Sequence, residues 1–404
     1  SYTMDHFLRS IESADPGRCS DESERLRVAD ALLAALRRFQ QPSDIVFEHS
    51  LAANLTLSTA KTLIDAGVLQ KWAESGGGTK SSGELARLSG TDPGLIKRLV
   101  RHLAAQHLLT EAGEDAYQPT PWSTALATDP LCRSWYGLGH GYDLMAAAAL
   151  HLPAFLGETG YRNPTGGRAG NFQHLRGGTA FFDYIGAQPS SVDMSREFND
   201  AMEYQSRAFF GPWVDIYPTE TIVASARAGR ALVVDIGGGK GHDLDKFRVR
   251  HQDDDKLSEA AGVLVLQDLP DVVEKVAATV DLDPAIAAQS HDFFTPQPVR
   301  GARAYYMHKI LHDWDDGQSV QILTHVAGAM EKGYSRLLIH EYVIDDRNPH
   351  RHVTTLDLTM MACLGSKERT EAEYAELLGR AGLKLRKVWR LPQAPDGVIE
   401  AELA

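Results

Sequence analysis

A short apolar run that ends in a crowded glycine turn restricts the fold of this chain more than any other feature. Leu232-Val233-Val234 passes through Asp235-Ile236 into Gly237-Gly238-Gly239-Lys240-Gly241. A buried strand running into glycines lets a ligand approach the backbone with no Cβ in the way, close to a helix N-terminus. A dinucleotide fingerprint needs a third glycine three positions after the second. Counted from Gly237 and Gly239 that position is His242, so the spacing excludes it. No Gly-Lys-Ser/Thr arrangement follows, which excludes a P-loop. What remains is Gly-x-Gly-x-Gly, suited to a ligand that lacks a pyrophosphate.

The same texture recurs downstream. Val263 to Leu266, Ala304 to Met307 and Leu337 to Ile339 read as further buried parallel strands, with helical patterns between them. This predicts an α/β, Rossmann-like doubly wound domain, whose ligands bind at the C-terminal edge of the sheet. Chemistry-bearing residues fall on that edge. Asp268, followed by Leu269, comes after the second strand, where a carboxylate accepts both hydroxyls of a ribose; it serves equally well as a helix cap ahead of Pro270. Asp292-Phe293 follows the next apolar stretch and suits an adenine amino group and a stacking face, or simply a turn. His308 to Trp314 closes the fourth strand.

Upstream, the first third reads as helical. Leu26, Ala29, Leu32, Leu33 and Leu36 share a stripe between Asp21 and Phe39, and Leu51 to Ile64 is a second amphipathic stretch. Ser82 to Leu88, a turn at Ser89 to Pro93, and Gly94 to Leu108 make a helix–turn–helix, followed by a small wing. Lys97, Arg98, Arg101 and His102 on its second helix raise a DNA-reading role, that of a regulator with a retired cofactor domain. The acidic balance argues against it, with 41 Lys+Arg, 54 Asp+Glu and net charge −13. At 404 residues the expected division is a helical, winged-helix dimerisation domain (1–125), a helical connector contributing to the substrate pocket (126–217) and a catalytic domain (218–404). No apolar stretch approaches the roughly 20 residues that span a bilayer. Ser1 to Ser10 carries no signal-peptide pattern, and Cys19, Cys132 and Cys363 are too scattered for a disulfide framework or a metal site. The expectation is a cytoplasmic protein with no nucleic-acid and no membrane partner.

Five segments together carry a resemblance. They are Val234 to Gly241, Leu266-Gln267-Asp268-Leu269-Pro270, His291 to Phe294, Ile310-Leu311-His312-Asp313-Trp314-Asp315-Asp316 and Lys367-Glu368-Arg369-Thr370. The chain resembles the S-adenosylmethionine-dependent O-methyltransferases of the plant caffeate type, closest in texture to the fungal secondary-metabolism branch. The similarity covers most of the chain, and the N-terminal winged helix matches that family's dimerisation domain. The resemblance implies a homodimer, with S-adenosylmethionine held by Asp235, Gly237, Gly238, Gly239, Gly241, Asp268, Leu269, Asp292, Phe293 and His308. Family members usually carry Lys or Arg where His308 stands.

His312 lies on a loop at the ligand edge. An unperturbed imidazole titrates near ~6.5 and is largely neutral at pH 7, so it can take a proton from a phenol that titrates near ~10. The resemblance implies that Glu341 and Glu368 flank this histidine. It also implies that Asp313 contacts the substrate and that Trp314, Met360 and Met361 line the pocket. The sulfonium is its own electrophile, so the protein has to align oxygen, methyl and sulfur, and no metal is required. The expected function is O-methylation of an aromatic or enolic hydroxyl of a natural product. The alternative, known among fungal relatives, is a pericyclase or dehydratase that keeps the cofactor unconsumed. In that case His151, Lys309 and Asp313 would act as donors to a polarised carbonyl.

Overall fold

A computed structural model of the chain describes residues 3–140, 144–164, 170–187, 194–254, 263–392 and 394–404. It divides into two units, residues 1–55 with 391–394, and residues 56–390 with 395–404. In the first unit, helices Met4–Glu12 and Glu22–Phe39 begin on Thr3 and Asp21, whose side chains accept from the amides of His6 and Glu24. Neither helix buries a residue.

In the second unit, helix Ser82–Ser89 opens with a reciprocal cap between Ser81 and Glu84 and closes on Gly90 in the left-handed conformation. Helix Pro93–Ala105 starts on the Asp92 side chain. It stops three residues short of the expected Leu108, because the chain turns through His107 at φ 57. Then β1 (Thr110–Gly113) and β2 (Ala116–Gln118) pair antiparallel as the wing. Ile96, Val100 and Leu103 share a core with Leu63, Trp72 and Leu85, and Tyr204 of helix Met194–Phe209 packs on it. Tyr204 thus ties the winged helix to a central helix within this unit.

The main sheet is built from β3 (Val233–Ile236), β4 (Leu264–Asp268), β5 (Ile286–Ser290), β6 (Ala304–His308), β7 (Arg336–Ile344), β8 (Arg369–Thr370), β9 (Leu383–Trp389) and β10 (Asp396–Leu403). Its order is β5-β4-β3-β6-β7-β10-β9, with β8 beside β7. Strands β5 to β7 pair in parallel, and β10 is antiparallel to both β7 and β9. The order reverses between β3 and β6, so a crevice opens at their C-terminal ends. Apolar residues run continuously along these strands because both faces are covered. Val234, Tyr305, Met307 and Ile339 face helices Asp316–Ala327 and Glu371–Arg380, whereas Val233, Tyr306 and Leu338 face Trp213, Leu244 and Phe247.

Candidate active site

The glycine turn is stitched to β4. The amides of Gly237 and Gly238 donate to the Gln267 carbonyl at 2.8 and 3.0 Å. Gly239 N–H donates to Asp268 Oδ2 at 2.9 Å and Leu269 N–H to Asp268 Oδ1 at 2.8 Å. A Cβ on Gly238 would collide with the Asp235 carboxylate and with Leu266. Gly241, at φ 79, opens helix His242–Arg250. Beneath the turn Asp235 is fully buried, and its Oδ2 has no hydrogen-bond partner. Burial first, then the charges of Asp243 and Asp268, push its pKa well above the usual carboxylate range.

His308 ends β6 on the same edge. Its Nδ1 lies 2.7 Å from Asp243 Oδ2, and its ring stacks on His340 at 4.3 Å. Burial and the neighbouring His340 lower its pKa to about 4. It is therefore neutral at pH 7, with Nδ1–H donating to Asp243 and Nε2 left as a buried acceptor without a partner. A buried carboxyl with a free oxygen and a buried imidazole acceptor beside a glycine cradle fit a ligand that brings N–H or O–H groups and a positive charge, which would favour the ionised form of Asp235. Along the same rim Leu269 and Asp292 are exposed and Phe293 is half-buried.

The loop after β6 carries the second half of the site. His312 is buried, on a turn Leu311–Asp313, with its Nδ1 2.9 Å from Glu368 Oε1 and its Nε2 3.4 Å from Asp313 Oδ1. Burial alone would lower its pKa. The carboxylates of Glu368 and Asp313, the hydrogen bond to Glu368 and the charge of Glu341 outweigh that effect and raise it to about 9. The free imidazole is thus charged at pH 7, unlike the ordinary neutral group expected from the sequence. Glu368 fixes the Nδ1 proton, so Nε2 is the nitrogen that releases and takes one.

Glu341 is placed differently from the flanking position that the resemblance implies. Its Oε1 accepts from Ile310 N–H at 3.0 Å and Leu311 N–H at 2.6 Å, and its Oε2 accepts from the Tyr374 hydroxyl. It holds the loop backbone and acts on the imidazole only through its charge. Arg369, fully buried, donates to the carbonyls of Leu311 and Trp314, both at 2.9 Å, and pairs with Asp316. Glu368 is set in turn by its N–H to Asp357 Oδ1 at 3.0 Å.

Trp314 packs edge-on against Phe294 and Phe293, at 4.8 and 6.0 Å, which joins the loop to the segment that follows β5. Met360 is buried and Met361 half-buried on helix Arg351–Leu364. His151 hydrogen-bonds through Nδ1 to Asn171 at 2.9 Å, and Asn171 ties Ala148 to Ala362, so this histidine serves a junction between helices. Sequence reasoning missed Tyr374, Arg369, Asp243 and His340. Arg369 and Tyr374 stood beside a recognised motif, but their targets lie 30 to 60 positions away.

A family model described as an O-methyltransferase domain matches residues 167–384. The O-methyltransferase mfmE of Annulohypoxylon moriforme is 36% identical over 399 residues, covering 98% of this chain and 95% of that protein. The structure of LepI in complex with SAM superposes with a TM-score of 0.88 at 26% identity, over all of both chains. One described as a pericyclic reaction enzyme does so at 0.87 and 26%, over 98% of this chain and 99% of that one. With its glycine cradle, its strand-end carboxylates and its histidine loop in this arrangement, the chain belongs to the O-methyltransferase family.

Proposed function

We propose that this protein transfers the methyl group of S-adenosylmethionine to a hydroxyl of an aromatic or enolic natural product, with His312 as general base. The observation that carries the reading is the His312–Glu368 pair, which fixes one ring nitrogen and presents the other at the edge that holds the glycine cradle. Asp268 takes the ribose, Asp292 the adenine amino group, and Leu269 and Phe293 the faces of the base. Asp235 and His308 supply acceptors beside Gly237, Gly238, Gly239 and Gly241. Asp313, Trp314, Met360 and Met361 contact the acceptor, and His151 shapes its wall from behind. The bound sulfonium supplies an activated methyl, so no metal is needed. The protein's part is to position the hydroxyl, exclude water and remove its proton.

The similarity to a pericyclic reaction enzyme supports a second reading, in which the cofactor stays intact. Mass spectrometry with a panel of phenols and enols separates the two. Methyl transfer gives one S-adenosylhomocysteine and one methyl ether per turnover. Product formed without demethylated cofactor overturns the proposal.

The N-terminal unit supports a homodimer. Met4, Leu8 and Ile11 line one helix at three- and four-residue spacing, and Leu32, Leu36 and Phe39 another, all exposed by 40 to 59%. A second copy of the chain would cover both stripes. Sedimentation equilibrium at micromolar concentration should give twice the 44.3 kDa chain mass, and Leu32→Asp with Leu36→Asp should halve it; a wild-type monomer would refute the assembly. Among the described residues no helix is long and apolar enough to cross a membrane. The three free cysteines suit a reducing compartment, and the reading is of a cytoplasmic enzyme.

A further inference from the structure

Lys309 is a cation that the methyl-transfer reading so far leaves without a role. It follows β6 directly and adopts φ 54, a conformation that residues other than glycine seldom take. Its N–H donates to the His340 carbonyl at 3.1 Å, continuing the pairing of β6 with β7, and this holds the strained backbone in place. The turn sends the side chain toward helix Met194–Phe209. There Nζ donates to Gln205 Oε1 at 2.9 Å and lies 5.4 Å from the centre of the Phe210 ring. Gln205 is itself buried and is the one hydrogen-bond acceptor of this ammonium among the described residues. No carboxylate comes within ion-pair distance of it in the same set. Burial lowers the pKa of Lys309 to about 8, and the charges of Asp313, Asp243 and Glu368 act against that. The group is still mainly cationic at pH 7. The carboxylates whose charges it feels belong to both halves of the site, Asp243 beside His308 and Asp313 and Glu368 beside His312.

The ammonium is half-buried and makes one hydrogen bond among the described residues, which leaves N–H groups free to meet an oxygen acceptor. Two of the three nearby carboxylates already serve histidines, Glu368 on His312 and Asp243 on His308. Asp313, the third, lies 3.4 Å from His312 Nε2, the nitrogen assigned to receive the proton, and its charge is felt at Lys309.

We infer that Lys309 takes a second oxygen of the acceptor, a carbonyl next to the hydroxyl to be methylated, which makes ortho-acyl phenols and β-hydroxy-enones the substrate class. The inference rests on the methyl-transfer reading. In such molecules the hydroxyl proton is chelated by the neighbouring carbonyl, so the nucleophilic lone pair is hidden and the proton is hard to remove. An ammonium on the carbonyl opens that chelate and stabilises the developing enolate. The hydroxyl proton then passes to His312 Nε2 as the oxygen–carbon bond forms and the carbon–sulfur bond breaks, its electron pair going to sulfur. The balance closes with one methyl ether, one S-adenosylhomocysteine and one imidazolium.

The test compares 2-acetylphenol with 2-ethylphenol, which differ in the carbonyl, as acceptors for the wild type, Lys309→Met and Lys309→Arg. Calorimetry with S-adenosylmethionine on each variant reports folding and the cofactor site. The wild type should favour 2-acetylphenol at least tenfold in kcat/KM. Lys309→Met should bring that ratio close to one, Lys309→Arg should keep most of it, and cofactor affinity should stay within about twofold. An unchanged ratio in Lys309→Met overturns the inference. So does an equal loss on both phenols, or a tenfold weaker hold on the cofactor, which would assign the lysine to the cofactor instead. S-adenosylhomocysteine formed only from phenols without an acyl neighbour removes this inference and leaves methyl transfer standing. Its absence with every hydroxyl acceptor removes both.

Discussion

His312→Ala should bind S-adenosylmethionine at least as tightly as the wild type does, yet lose on the order of 10²–10⁴ in turnover, the usual worth of a positioned base. The histidine contributes nothing to the glycine cradle, so calorimetry and turnover should separate cleanly in this variant. Full methyl transfer by it would defeat the mechanism and leave the fold untouched. The pH dependence sharpens the expectation. With a pKa raised to about 9 in the free protein, the imidazole must shed a proton before it can accept one, so the rate should climb with pH through the neutral range. A sulfonium nearby adds positive charge and brings that limb below about 9. Glu368→Gln removes the closest carboxylate and should move it lower still. Stability runs the other way. A pKa raised on folding gives a stabilisation that is complete below about 6.5 and is lost as the pH rises through about 9. The enzyme should therefore become more active and less stable over the same interval.

Asp268→Ala should weaken cofactor binding on the order of 1–3 kcal/mol, the cost of losing a charged hydrogen-bond partner. The structure adds a second cause, because this carboxylate also anchors Gly239 and Leu269. The variant should therefore bind both the cofactor and its demethylated product less tightly, without changing the acceptor preference at saturation. Unchanged affinity by calorimetry would sink the assignment.

Much of the fold lay open in the sequence, because a buried parallel strand and a glycine turn are written in consecutive residues. Leu232 to Gly241 needs no partner to be recognised, and Asp268 and His308 lie within a few positions of their strands. The antiparallel β9–β10 pair was harder to see. Leu383 to Trp389 mixes lysine and arginine with its apolar residues, as an outer strand does. What stayed hidden depends on register. His308 and His340 stand opposite each other because β6 and β7 align them, and Asp396 reaches His340 because β10 returns beside β7. Such pairings join residues 30 to 60 positions apart, and no local pattern encodes them. The raised pKa of His312 was hidden for the same reason, since Glu368 is 56 residues away.

The anchoring of the histidine loop bears on how such an enzyme can diversify. Its backbone is clamped by Glu341 on β7, which the Tyr374 hydroxyl holds in turn, and by Arg369 on β8, all part of the sheet or its covering helix. The groups assigned to the acceptor come partly from elsewhere, Met360 and Met361 from helix Arg351–Leu364, and Gln205, which holds Lys309, lies on helix Met194–Phe209. Base and walls thus rest largely on different supports, which meet where Asp357 of the wall helix accepts from the Glu368 amide. Substitutions that reshape the walls need not disturb the proton-accepting nitrogen. One catalytic chassis can then be refitted for new acceptors by mutations on the two wall helices, with the clamp left alone.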